Sequence, residues 1–260
     1  MPSLSPSSLQ RLQRHNMLFG WLFGRVQLAP ISEEQCLVSV GRHSISLVNA
    51  ERWRRYRRGI PRQLRRLAYT YGASDHAKKF AGKTIVDFGA NIGEFTLYAC
   101  ANGAEVIAIE PDKTNLTVLK KNVEAKSVRI VEKALWKEST RMPLYSAPMA
   151  ADSGLLAAST CTHSYEVDAV RLDDVMEELG VGEVFFIKGD AEGTEPEVLQ
   201  GAVTTLSRTH YISLDCGPER HGETTVAWSK RLLEEAGFNV ELLRRRRTIL
   251  FGTNRRLAAL

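Results

Sequence analysis

The chain has 260 residues and a net charge of +5, with 43% apolar and 25% charged residues. This composition is typical of a soluble globular protein, and the length allows one sizeable α/β domain plus an extension. It contains no run near the roughly 20 apolar residues that a membrane span needs. Its four cysteines lie far apart without a C-x-x-C pair, which argues against zinc and disulfide frameworks and favours a reducing, cytoplasmic compartment.

Residues 1–80 are predicted to form an extension. Apolar residues at helical spacing indicate a helix at about 8–26. Its apolar run, 17–24, is short for a signal peptide and has no small-residue cleavage site after it. Two short β-like runs follow at 36–40 and 44–48, and a hairpin loop is expected between them.

An arginine-rich segment, residues 51–66, is predicted to form the last helix of the extension. It holds eight arginines and one acid, so its net charge of +8 − 1 = +7 leaves the remaining chain at +5 − 7 = −2. With Trp53 and Tyr56 interleaved, the arginines can hold phosphate or an acidic glycan. A solvated helix face explains the same pattern, and both interpretations stay open.

From residue 84 onward, strands and helices alternate. Strands are predicted at 84–88, 105–110, 128–132, 183–188, 211–215, 238–243 and 248–252. Helices are predicted at about 92–102, 112–124, 172–179, 195–207 and 224–236, with a less regular region at about 135–165. The alternation predicts an α/β fold with a doubly wound, seven-stranded, mostly parallel sheet, closed by a C-terminal antiparallel hairpin. Residues 81–260 are therefore expected to form the main domain.

A glycine turn between the first two strands of this domain indicates a nucleotide-cofactor pocket. Asp87 precedes glycines at 89 and 93, and Glu110 closes the next strand. In a dinucleotide fingerprint the middle position would be glycine, but here it is Asn91, and Asp87 would repel a pyrophosphate. An acid there suits the ammonium group of a methionine moiety, directly or through water. S-adenosylmethionine (SAM) is therefore favoured over NAD.

Two sequence blocks resemble the FkbM family of SAM-dependent methyltransferases. The first is Val86-Asp-Phe-Gly-Ala-Asn-Ile-Gly-Glu-Phe-Thr96 with Ile109-Glu-Pro111, and the second is Phe186-Ile-Lys-Gly-Asp-Ala-Glu-Gly-Thr-Glu195. The resemblance implies a Rossmann-like class I methyltransferase fold. The chain departs from the family pattern at Gly189, where an apolar residue is usual, and at Asp215, where glutamate is usual.

The cofactor-binding residues are expected on the turn and the neighbouring strand ends. Ligands of open α/β sheets lie outside the carboxyl ends of the strands. Glu110 is expected to accept the ribose hydroxyls, and Ala134 to lie near the adenine. The methionine end of SAM is assigned to Asp87, Gly89, Asn91 and Gly93.

The second block supplies the catalytic candidates. Asp190 is the first candidate for the base that takes the proton of an alcohol acceptor, and Glu192 is the second. Lys188 is expected to orient one of these acids or to hold them ionised. A Mg²⁺ site formed by Asp190, Glu192 and Asp215 is an alternative. Two histidines in predicted loops near this edge are expected to be solvated rather than catalytic: His163 and His221.

The predicted function is O-methylation, and the family resemblance implies a hydroxyl on a sugar, glycan, lipid or polyketide-like metabolite. The Asn/Asp-Pro-Pro-aromatic turn of adenine methyltransferases is absent from the fourth strand. The extension and loops 146–166 and 216–223 are expected to shape the acceptor pocket. Two alternatives remain, both using the 51–66 arginines. One is a nucleic-acid methyltransferase, and the other is a non-catalytic SAM-binding or membrane-surface protein.

Overall fold

The N-terminal part consists of a helix, a small antiparallel sheet and a second helix, in a computed structural model that describes residues 4–32, 35–146, 153–156 and 163–257. Its elements are α1 (Pro6–Phe23), β1 (Val26–Pro30), β2 (Cys36–Val40), β3 (His43–Leu47), a 3-10 helix (Ala50–Arg55) and α2 (Ile60–Thr70). The hairpin of β2 and β3 confirms the predicted pair of β-like runs. β1 was not predicted, because the expected helix at 8–26 ends three residues early, before Gly24 at φ 86°.

The arginine-rich segment is not one helix. Gly59, at φ 101°, separates the 3-10 helix from α2, and Pro61 begins the new helix. Trp53 and Tyr56 are each 1% exposed and belong to the core of the small sheet. Both side chains therefore pack inward and fix the backbone that carries the arginines.

The main domain alternates strands and helices, after two single-turn 3-10 helices at Ala73–Asp75 and Ala77–Lys79. Its elements are β4 (Thr84–Phe88), α3 (Glu94–Ala101), β5 (Glu105–Ile109), α4 (Lys113–Asn122), β6 (Val128–Val131), β7 (Ala134–Leu135), β8 (Thr140–Ser146), β9 (His163–Val170), α5 (Leu172–Glu178), β10 (Val184–Gly189), α6 (Glu195–Gln200), α7 (Val203–Ser207), β11 (Thr209–Asp215), α8 (Val226–Glu235), β12 (Phe238–Arg244) and β13 (Thr248–Asn254).

Seven strands form the main sheet, in the order β12-β13-β11-β10-β4-β5-β6. Five are parallel, and β13 is antiparallel to both of its neighbours. The predicted α/β fold with a terminal antiparallel hairpin is confirmed. The central strands are buried because helices cover both faces, as their apolar sequences require.

The strand register aligns the carboxyl ends of the central strands. Gly189 pairs with Phe88 on one side and with Leu214 on the other, and Phe88 pairs with Ile109. The residues that follow these strand ends, Gly89, Asp190 and Glu110, therefore meet at one edge of the sheet, and Asp215 ends its strand beside them. This is the edge at which ligands of such sheets bind.

A second small sheet, β7-β9-β8, replaces the irregular region predicted at 135–165. His163 begins β9, so its predicted loop position is wrong, whereas His221 lies in a loop as expected. The predicted helix at 195–207 is two helices that break at Gly201, which packs against the Trp136 carbonyl. Loop 146–166 lies partly outside the described residues.

No helix in the described parts of the chain has the length and apolarity that crossing a bilayer requires.

Candidate active site

The turn after β4 adopts a backbone that few side chains tolerate. Gly89, Asn91 and Gly93 have φ values of +63°, +53° and +87°. A Cβ atom on Gly89 would lie 1.8 Å from the carbonyl oxygen of Asp190. Glycine is therefore required at 89 because the loop after β10 crosses close to it. Asparagine at 91 is one of the few residues that adopt this conformation readily.

Asp87 lies beneath this turn and is fully buried. Its carboxylate accepts a hydrogen bond from the Thr96 hydroxyl at 2.7 Å, and the Lys188 ammonium lies 3.1 Å from its other oxygen. Lys188 also donates to the carbonyl of Gly89 at 2.8 Å. Lys188 lines the cleft above the turn, but Asp87 and Gly93 do not. Asp87 and Gly93 therefore shape the turn and are not among the residues that line the cleft.

The turn is the floor of a cleft with a polar half and an apolar half. Gly89, Glu110 and Asp190 line both halves. Asn91 lines the polar half. Side chains from five segments line the apolar half: Phe88, Ile109, Ala134, Leu135, Leu144 and Leu155. An apolar slot, a carboxylate and a turn with accessible backbone fit the adenine, ribose and methionine parts of SAM, in that order.

Glu110 holds the boundary between the two halves. One carboxylate oxygen accepts from the Asn91 backbone N–H at 2.7 Å, and the other from Asp112 N–H at 3.0 Å and the Asn115 amide at 3.3 Å. Burial raises the pKa of Glu110 to about 7, although these hydrogen bonds lower it. These bonds fix the carboxylate at the boundary between the two halves of the cleft.

Arg247, in the polar half of the cleft, joins the buried Asp215 and the half-buried Asp190. Its guanidinium donates to Asp190 at 2.7 Å and also to Asp215, and the Tyr71 hydroxyl donates to Asp190 at 2.8 Å. Burial alone would raise the pKa of Asp190, but the charges of Lys188 and Arg247 outweigh burial and lower it. Burial, followed by repulsion from Asp190, raises the pKa of Asp215. The surroundings therefore favour the ionised form of Asp190 more strongly than that of Asp215.

This arrangement does not fit the predicted magnesium site. Within the described ranges, no group of three or more histidine, cysteine, aspartate or glutamate side chains is placed to hold a metal ion. The positive charge between Asp190 and Asp215 comes from Arg247. The expectation of a Mg²⁺ bound by Asp190, Glu192 and Asp215 is not supported.

The other acids of the second block have different surroundings. Glu192, at φ +50°, lines the polar half of the cleft beside Asp190. Glu195 is fully buried and accepts from the backbone N–H groups of Ala191 and Gly193 and from the Thr225 hydroxyl. Glu195 therefore fixes the loop that carries Asp190 and Glu192.

Sequence reasoning missed several residues that line the polar half. Tyr71 comes from the end of the extension, and no sequence pattern indicated it. Arg247 belongs to the arginine run 244–247, and the predicted terminal hairpin indicates where this run lies. A strand antiparallel to β11 must begin near Asp215, so the hairpin turn before it lies at the same edge of the sheet. Arg55 and Glu94, an ion pair at 3.2 Å, also line this half.

Residues 87–240 match the methyltransferase FkbM domain. Methyltransferase 1 of Beauveria bassiana (strain ARSEF 2860) is 30% identical over 191 residues, which cover 62% of this chain and 74% of that protein.

Two solved structures are also similar. One is magnesium protoporphyrin IX methyltransferase from Synechocystis PCC 6803 with bound SAM, with a TM-score of 0.46 and 11% identity over 76% of this chain and 81% of that chain. The other is a precorrin-6y C5,15-methyltransferase from Geobacter metallireducens GS-15, with a TM-score of 0.43 and 15% identity over 72% and 86%. The FkbM domain match covers more than half of this chain, and the chain therefore belongs to the FkbM family of SAM-dependent methyltransferases.

Proposed function

We propose that the protein methylates a hydroxyl group of a sugar, glycan, lipid or polyketide-like metabolite. The observation that carries the proposal is the position of Asp190. It lines both halves of the cofactor cleft, and Lys188, Arg247 and Tyr71 keep its carboxylate ionised and oriented. An ionised carboxylate beside the cofactor can accept the hydrogen bond of an acceptor hydroxyl.

The cofactor assignments follow the lining of the cleft. Gly89 and Asn91 hold the methionine end, Glu110 accepts from the ribose hydroxyls, and Ala134 lies against the adenine. Asp87 and Gly93 act through the turn that they shape. When bound, SAM supplies a methyl group on a sulfonium, a donor that needs no further activation.

Asp190 orients the acceptor oxygen and takes its proton as the new bond to carbon forms. Because its pKa is lowered, Asp190 is a weak base, and most of its contribution is alignment of the hydroxyl. Glu192, beside it in the cleft, is the second candidate for the proton. Lys188 keeps Asp190 ionised through its charge while it ties the turn to β10.

Replacing Asp190 tests this role. Asp190→Asn removes the proton acceptor but keeps the shape, so we expect kcat to fall about 10²-fold, at the lower end for a positioned base. The dissociation constant for SAM, measured by calorimetry, should stay unchanged. Release of S-adenosylhomocysteine with any hydroxyl acceptor that the wild type methylates measures kcat.

The matched control is Asp168→Asn, which removes the same charge from an exposed position on β9. Full turnover by Asp190→Asn would show that Asp190 is not the base. The alternatives built on the 51–66 arginines, a nucleic-acid acceptor or a membrane-surface protein without catalysis, stay predictions.

A further inference from the structure

An open basin lined almost entirely by arginines lies beside the cofactor cleft. Its walls come from the 3-10 helix, the turn that follows this helix, α2, and the turn between β12 and β13. Eight arginines line it: Arg52, Arg54, Arg55, Arg57, Arg58, Arg62, Arg66 and Arg246. In the part of the chain that the structure describes, Glu51 is the one acidic residue on its walls.

The acids nearest to the basin already have hydrogen-bond or ion-pair partners. The Glu51 carboxylate accepts hydrogen bonds from the Ser5 backbone N–H at 2.7 Å and from the Ser8 hydroxyl, both of α1 and its cap. Glu94 forms an ion pair with Arg55 at 3.2 Å. Crowding one sign of charge costs free energy in the absence of a counter-ion, so a concave surface with this excess attracts anions.

The backbone that carries these arginines is fixed by its own core. Trp53 and Tyr56 alternate with the arginines of the 3-10 helix and are each 1% exposed beneath it. α2 is held on its inner side by Gln63, which donates to Glu94 at 3.0 Å. The backbone that carries the arginines is therefore already ordered, which reduces the conformational entropy lost when the arginines bind a ligand.

The basin and the cofactor cleft share a border. Arg52 and Arg55 line both, and the cleft beyond them contains Asp190 and Glu192. A molecule with one end in the basin can therefore place another part of itself at the proposed methyl-transfer position. This continuity links the arginines to the acceptor rather than to the adenine, which is assigned to the other half of the cleft.

We propose that this basin binds an anionic, phosphate- or diphosphate-type group on the methyl acceptor. Guanidinium groups recognise phosphate oxygens in pairs, and several of them together can satisfy a diphosphate. The acceptor is then a phosphorylated small molecule or glycan whose hydroxyl reaches Asp190. This inference rests on the proposed O-methylation for its second half, but binding of the anion does not depend on catalysis.

Calorimetry with inorganic pyrophosphate on the full chain, saturated with SAM, tests the site. Wild type should bind pyrophosphate, because the basin and the cofactor cleft adjoin without overlapping. The double variant Arg57→Gln, Arg62→Gln should weaken pyrophosphate binding about tenfold or more and leave SAM binding unchanged. The control Lys230→Gln, Arg231→Gln removes the same charge from exposed i,i+4 pairs on α8 and should bind pyrophosphate as the wild type does.

Four results would overturn the inference. In the first, the wild type does not bind pyrophosphate, and in the second, the basin and control variants weaken binding equally. In the third, SAM displaces pyrophosphate. In the fourth, the protein binds a short RNA or phosphatidylserine vesicles but not pyrophosphate. Once an acceptor is found, pyrophosphate should raise the KM for this acceptor without changing kcat. An unchanged KM would show that the basin does not bind the acceptor. If the wild type does not bind SAM, the proposed function is contradicted. Pyrophosphate binding is measured in a titration of its own, so the two failures can be told apart.

Discussion

The pKa values of two carboxyl groups in this protein, Glu110 and Asp190, shift in opposite directions because their surroundings differ. Glu110 is buried and hydrogen-bonded mainly to neutral N–H groups, so burial prevails and its pKa rises to about 7. Asp190 is half-buried, and Lys188, Arg247 and the Tyr71 hydroxyl contact or face it, so its pKa falls. The sequence shows an acid after a strand in both cases. Only the neighbours that the fold supplies decide which acid is ionised at neutral pH.

The raised pKa of Glu110 predicts a measurable effect on stability. In the unfolded chain this group titrates near 4.5, so between pH 4.5 and about 7 the folded state binds more protons. The free energy of unfolding should therefore fall as the pH rises through this window, by up to ~1.4 kcal/mol per pH unit for one proton. Glu110→Gln should remove this contribution. Denaturant melts at several pH values measure it, and an identical slope in the variant would contradict the assigned environment.

The turn from β4 to α3 and the loop after β10 form one structural unit. The Asp190 carbonyl lies against Gly89, Lys188 bonds the carbonyl of Gly89, and Glu195 bonds the loop at two backbone N–H groups. The two sequence blocks of the family therefore meet in space and support each other. Gly89, Lys188 and Glu195 therefore act on the geometry of the backbone in these two blocks.

A matched pair of glycine substitutions tests this contact. Gly82 and Gly89 have similar φ values, +67° and +63°, but a Cβ atom at Gly82 would meet nothing within 4 Å. Gly82→Ala should cost only backbone strain, about 1 kcal/mol of unfolding free energy. Gly89→Ala adds overpacking and should cost about 3–5 kcal/mol and abolish SAM binding. Thermal melts and SAM titration measure both, and equal costs would refute the close contact.

At the scale of the whole molecule, residues from the N-terminal part of the chain line the cleft at the edge of the main sheet. Tyr71, at its end, donates to Asp190, and Arg55 contacts Glu94 at the start of α3. Asn122 of α4 bonds the backbone of Ser46 in both directions and also the carbonyl of Ile92. The division at residue 80 stays a prediction, and these contacts favour folding of both parts as one cooperative unit.

Asn122→Ala should destabilise the whole chain, because it leaves buried backbone groups of Ser46 and Ile92 without a partner. We expect a loss of about 2–4 kcal/mol, from the cost of unsatisfied buried groups. Unfolding followed by circular dichroism and by tryptophan fluorescence should remain a single, coincident transition. Two separate transitions would show that the extension folds independently of the methyltransferase domain.

The sequence predicted the strands and helices that hydrophobic periodicity marks. It did not predict the contacts between residues that are far apart along the chain. The strands at 84–88 and 105–110 and the terminal hairpin are recognisable because apolar runs and turn residues mark them. β8 contains Pro143, which weakens its strand pattern, and a long connection separates it from β9, so the pair leaves no local hairpin signal. Tyr71 and Arg247 reach Asp190 from positions 119 and 57 residues away, and no local pattern reports such contacts.

Calorimetric titration of the full chain with SAM and S-adenosylhomocysteine tests the central claim most directly. The cleft formed by Gly89, Asn91, Glu110 and Ala134 should bind both with one site per chain and a dissociation constant on the order of micromolar. Gly89→Ala should bind neither, and Gly82→Ala should bind both. Absence of binding to the wild type at high micromolar concentrations of either ligand would contradict the assignment of this cleft.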